Sequence, residues 1–91
     1  MADERRRFEV SLVTPEGAAY EGECEMLIVP GAAGEIGILA RHAPLVTLLG
    51  SGVLRLEGGD NGARRFEISG GFLQVADDVI RVVTESARAV G

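Results

Sequence analysis

The chain has 91 residues, 46% of them hydrophobic and only 4% aromatic, with no tryptophan. That is enough for one domain with one aliphatic core, and too apolar for a disordered segment. The net charge is −5 and all nine basic residues are arginine, which argues against nucleic acid and against direct adsorption on anionic lipid.

Residues 1–7 read as a solvated arm, because Asp3 and Glu4 flank Arg5-Arg6-Arg7 and no apolar signal region follows. From Phe8 onward the pattern has period two, which puts one strand face on a core and the other in water. Phe8, Val10 and Leu12 alternate with Glu9 and Ser11, and Thr14-Pro15-Glu16-Gly17 closes this first strand with a turn. Tyr20, Cys24, Met26 and Ile28 alternate with Glu21, Glu23 and Glu25. Pro30-Gly31-Ala32-Ala33-Gly34 is a small-residue loop.

Next comes GEIGILARHAPLVTLL, with the only histidine, His42. Pro44 removes a backbone donor and drives Ala43 toward extended geometry, so His-Ala-Pro predicts a rigid bend between a glycine-rich strand and an apolar one. Leu54 and Leu56 alternate with Arg55 and Glu57. Gly58-Gly59-Asp60-Asn61-Gly62 is a hairpin loop, and Phe66 and Ile68 alternate with Arg65 and Glu67 beyond it. Adjacent Gly70 and Gly71 predict a bulge or a close backbone approach. Ala76-Asp77-Asp78 is a tight connection. Ile80 and Val82 alternate with Arg81, although Val79 and Val83 make both faces apolar. Thr84 to Val90 alone has helical composition, too short to persist without packing. The expected architecture is an all-β antiparallel sandwich or flattened barrel over 8–84, with a C-terminal tail at 85–91.

No chemistry-bearing constellation emerges. Gly31, Gly34 and Gly37 lack phosphate-loop spacing. One histidine and one cysteine do not make a metal site, and Glu21, Glu23 and Glu25 read as a solvated acidic face. His42 as a base for Ser51, Ser69 or Cys24 has no supporting spacing. Cys24 lies on an apolar parity, the ordinary place of an inert buried thiol, and a lone cysteine excludes an internal disulfide. The run from Ile36 to Leu54 is interrupted by Arg41, Pro44 and three glycines, so it is a poor membrane span. No catalytic, cofactor-binding or metal-binding residue is assigned.

The segment GEIGILARHAPLVTLL resembles the G-E-x-G-[IV]-x-x-x-H-A-P-x-[LVT]-T segment of the ε subunits of F-type ATP synthases. FEVSLVTPEGAAYEGECEMLIVPGAAGE resembles the family's opening, and ISGGFLQVADDVIRVVTESA its S-G-G-x-[LV]-x-V segment and final hairpin. Together they span about residues 8–87. The resemblance implies a sandwich of two roughly five-stranded sheets. It implies a non-catalytic place in the rotor's central stalk, coupling subunit γ to the c-ring during proton-driven ATP synthesis, with transient contact to the catalytic αβ head allowed. It implies the cytoplasmic face of a bacterial inner membrane, reached only through the complex. By position it sets Gly31, Gly34 and Glu35 on the ring side, and Thr14 and His42 on the γ side. Pro44, Gly70 and Gly71 are structural turn positions.

One departure is expected to matter. Family members carry a two-helix domain after the sandwich, and this chain stops at Gly91, about where that domain would begin. The chain is a short form or a fragment, and the inhibition and ATP binding borne by the helical domain are not carried over. His42 stays open between an interface residue and one satisfied within the domain. The alternatives to the rotor role are a β-sandwich binding partners or ligands, or a small enzyme using His42.

Overall fold

A computed structural model describes residues 7–59 and 62–91. The arm expected at 1–7, apart from Arg7, and the centre of the 58–62 loop, Asp60-Asn61, lie outside the described residues. The described chain is all strand: β1 Phe8–Thr14, β2 Gly17–Cys24, β3 Met26–Gly31, β4 Gly34–Leu39, β5 Leu45–Glu57, β6 Arg64–Ala76, β7 Val79–Val83 and β8 Ala87–Val90.

The strands form one hydrogen-bonded sheet in the order β2-β1-β7-β6-β5-β3-β4, with β8 added on β6. β5 and β6 are each 13 residues long and serve two layers. The front layer is β2, β1, β7, the second half of β6 and the first half of β5. The back layer is β8, the first half of β6, the second half of β5, β3 and β4. The two roughly five-stranded sheets that the resemblance implies are therefore present as layers, joined through shared strands, and the sheet is not closed. One pairing is not antiparallel: β1 lies parallel to β7, register Val10 to Ile80 and Leu12 to Val82.

The corners are visible in the burial pattern. On β6, Phe66 and Ile68 are buried before Gly70-Gly71, and Leu73 and Val75 after it, so the buried parity switches. Gly70 (φ 67) and Gly71 (φ 115) supply the left-handed backbone that allows the change. The partner strand switches parity too, from Leu49 to Leu54 and Leu56. Both inner faces then meet in one core whose fully buried members include Leu12, Leu27, Ile38, Leu54, Leu73 and Ile80. Tyr20 from the front layer meets Phe66 from the back edge-on, with ring centroids 6.1 Å apart. The Arg64 guanidinium lies 5.8 Å and 5.3 Å from these rings and covers that end of the core.

Two expectations are corrected. The strand read as continuous from Tyr20 to Ile28 breaks at Glu25, whose N–H donates to the Glu57 carbonyl at 2.8 Å. The chain changes layer there, so Leu27 and Val29 are buried, while Met26 and Ile28 are only half-buried. The 85–91 tail contains β8, paired antiparallel to β6 from Ile68–Ala87 to Arg65–Val90. Cross-strand pairing at a sheet edge overrides helical composition in so short a segment. Thr84, buried at the exit from β7, anchors the crossover: its hydroxyl meets the Ser69 and Ser86 carbonyls at 3.3 and 3.2 Å and accepts the Ser69 N–H at 3.3 Å. On β8 itself, Arg88 pairs with Glu67, which raises the guanidinium pKa.

Candidate functional site

The bend after β4 is built as its residues require. Arg41 takes a left-handed conformation (φ 65), which a non-glycine residue adopts only under constraint. The constraint is Asp78, whose Oδ1 accepts the Arg41 N–H at 2.5 Å. Asp77 (φ 54) and Asp78 (φ 61) form the two-residue β6–β7 turn, the left-handed pair that favours Asp and Asn. His42 is half-buried, and the Ala43 carbonyl accepts from its Nδ1 at 2.7 Å. Pro44 then feeds directly into β5.

The remaining expected positions do not all gather here. Thr14 ends β1, where its hydroxyl donates to the Gly17 carbonyl and accepts the Glu16 N–H, both at 3.1 Å. Because β1 runs parallel to β7, Thr14 lies at the Val83 end of the front layer. His42 lies at the opposite end, beside the Asp77-Asp78 turn. The Gly31–Gly34 turn, with Glu35 exposed after it, sits at the Thr14 end: Gly31 is paired with Leu49, and the Ala32 N–H donates to the Leu48 carbonyl at 3.2 Å. Thr14 and His42 thus mark two ends of one face rather than one spot.

At the Thr14 end the outer front face carries an apolar row, while the next row towards His42 runs Val46, Gln74, Arg81, Ser11 and Glu21. Register places Leu48 opposite Phe72, Phe72 opposite Val83, Val83 opposite Val13, and Val13 opposite Ala18. Val46 is 71% exposed, Leu48 68%, Val79 51% and Phe72 39%. The contiguous cluster is Val46, Leu48, Phe72, Val83 and Val13, with Val79 beyond Gln74 and Arg81; contiguous exposed apolar side chains on a small domain mark an interaction surface. The outer back face is mixed, with Arg55 directly opposite Arg65 and Glu67 opposite Arg88 beside the exposed Leu39 and Val53. The two-sided apolar character of Val79 and Val83 and the run Leu45–Leu49 were the sequence signals of this face. The Arg41–Asp78 contact had none.

The reactive groups stay apart. Cys24 is buried, and burial pushes its thiol up to about 11. The Ser69 hydroxyl is engaged with Ser86 at 2.9 Å. No group of three or more metal-ligating side chains occurs among the described residues, and no helix there is long and apolar enough to cross a membrane.

Comparison with known proteins bears on this geometry. The family model described as ATP synthase, Delta/Epsilon chain, beta-sandwich domain matches residues 7–90. An ATP synthase epsilon chain from an Exiguobacterium strain is 45% identical over 78 residues, covering 86% of this chain and 57% of that protein. One from Latilactobacillus sakei is 37% identical over 89 residues, covering 96% and 61%. The chain therefore spans about three fifths of the length of these relatives. Among solved structures, a chain of the Euglena gracilis mitochondrial ATP synthase, in a structure of OSCP, F1 and c-ring, superposes with a TM-score of 0.85 at 25% identity, over 97% of this chain and 56% of that one. A chain from the central stalk and c-ring of the Tetrahymena thermophila enzyme matches in fold, with a TM-score of 0.70 at 19% identity, over 87% and 63%.

Proposed function

The chain belongs to the ATP synthase delta/epsilon family through its β-sandwich domain, and from that premise we propose that it is a central-stalk part of a proton-translocating F-type ATP synthase, coupling subunit γ to the c-ring. Its work is mechanical. It reaches the membrane through the complex, on the cytoplasmic face of a bacterial inner membrane. A coupling part must transmit torque without yielding, and a close-packed sandwich of low compressibility is suited to that.

The observation that carries this reading is the apolar cluster on the outer front face. Val46 and Leu48 on β5 and Phe72 on β6 are exposed and continue through Val83 on β7 to Val13 on β1, while Gln74 and Arg81 separate this cluster from Val79. That face is γ's docking surface, framed by Thr14 at one end and His42 at the other. The Gly31–Gly34 turn and Glu35 project at the Thr14 end as the contact to the c-ring. A standard interface hides about 800 Å² per partner, and a face of this kind supplies its apolar centre.

The test is Leu48→Asp. Leu48 is 68% exposed, so the variant keeps its folding stability. Burying a leucine is worth about 1.5–3 kcal/mol, so losing it from an interface centre weakens γ binding by about tenfold or more. Unchanged affinity for γ would remove the front face from consideration.

A further inference from the structure

One side chain ties the bend to the opposite side of the fold. Asp78 Oδ1 accepts the Arg41 N–H across 37 positions of sequence, while the Asp78 main-chain carbonyl accepts the Glu9 N–H at 3.0 Å. The turn, the bend and the start of β1 therefore meet at one residue. Only the contact to the bend depends on the side chain. Residues 42–44 belong to no strand, and the tie to Asp78 is the bend's one long-range hydrogen bond among the described residues. Pro44 already restricts Ala43, which leaves Arg41 and His42 as the free joint. Arg41 holds a left-handed backbone there that arginine does not favour on its own.

We propose that Asp78 is the positioning residue of the docking face: its carboxylate clamps the Arg41–Pro44 bend so that His42 and the start of β5 are presented to the partner in one fixed orientation. This rests on the reading that the front face docks γ. Without the clamp the bend samples other conformations, and binding must order it again. Immobilising one or two such groups lowers affinity by about three- to tenfold.

Two substitutions separate the clamp from mere structure. Asp78→Gly deletes the carboxylate at a position whose φ of 61 glycine accepts without strain. Asp78→Asn keeps an acceptor oxygen and also tolerates the left-handed backbone. Each variant, with Leu48→Asp beside it, is titrated into an ε-depleted complex containing γ, and its Arg41 amide exchange and urea midpoint are measured. Expected for Asp78→Gly is loss of Arg41 protection, about three- to tenfold weaker binding and a midpoint close to the parent's. Asp78→Asn should resemble the parent in all three. If Asp78→Gly binds like the parent while Leu48→Asp is weakened, the clamp is wrong and the docking reading stands. If neither is weakened, the docking reading itself fails. An Asn variant as weak as the Gly variant overturns the hydrogen-bond account, as does a midpoint that falls in step with affinity.

Discussion

Replacing Gly71 with alanine is expected to be far more damaging than the same change one residue earlier. A Cβ on Gly71 would sit 1.8 Å from the Val83 carbonyl oxygen, 2.8 Å from its carbon and 2.9 Å from the Thr84 Cα. All three are backbone atoms of the neighbouring strand and its exit, next to the buried Thr84 hydrogen bonds, so none can swing aside. The φ of 115 is unfavourable for alanine as well. Overpacking typically costs about 1–3 kcal/mol and the left-handed backbone about 1–2 more, giving about 2–5 kcal/mol for Gly71→Ala. Gly70 shares the positive φ, at 67, but its nearest neighbour would be the Leu49 carbonyl oxygen at 3.9 Å. Only the backbone term applies there, about 1 kcal/mol. With a urea slope of about 1.5 kcal/mol/M for a small domain, the midpoint falls by more than about 1 M for Gly71→Ala and by roughly 0.7 M for Gly70→Ala. Equal shifts, or a larger one at Gly70, would refute the close-approach argument.

Three further outcomes are expected. Cys24 is held protonated by burial, with its pKa up to about 11 against 9.0 for an ordinary thiol, so the unfolded chain loses that proton first; stability is fully present below pH 9 and falls by about 2 kcal/mol by pH 11, and a Cys24→Ala variant should lack this component of the decline in urea melts across that range. Thr84→Val keeps the shape but leaves the Ser69 N–H without its hydroxyl acceptor, which costs about 1–3 kcal/mol and should raise amide exchange in β8 first. Glu35→Ala, at an exposed position, should leave stability within about 0.5 kcal/mol and γ binding nearly intact, while loosening the c-ring in co-purification by an amount that shrinks as salt rises; a loss independent of salt would contradict an electrostatic contact.

The all-strand architecture was legible because period-two alternation is a local property. Phe8, Val10 and Leu12 had to face inward if β1 existed at all, and Asp77-Asp78 had to turn. What escaped was set by events between strands. Met26 and Ile28 share the apolar parity of Tyr20 and Cys24, and nothing near Glu25 announces that the chain changes layer there. Residues 87–90 carry no strand signal of their own because their strand character comes from the β6 edge, which lies about 20 positions back in sequence. The His42 bend was legible from Pro44, but its clamp was not: Asp78 is a good turn residue whatever its side chain touches. Grouping Thr14 with His42 was likewise a statement about order along the chain, and only the parallel β1–β7 register shows that they stand at opposite ends of one face.

The central claim, that the apolar front face couples this chain to γ, is tested most directly by adding it to an F-type ATP synthase depleted of its ε subunit, in vesicles with an imposed proton gradient. The account predicts that the 91-residue chain restores gradient-driven ATP synthesis and that the equally folded Leu48→Asp chain needs at least about tenfold more protein to reach the same restoration. Failure of both to restore synthesis, or equal restoration by both at the concentration that half-saturates the parent, would contradict it.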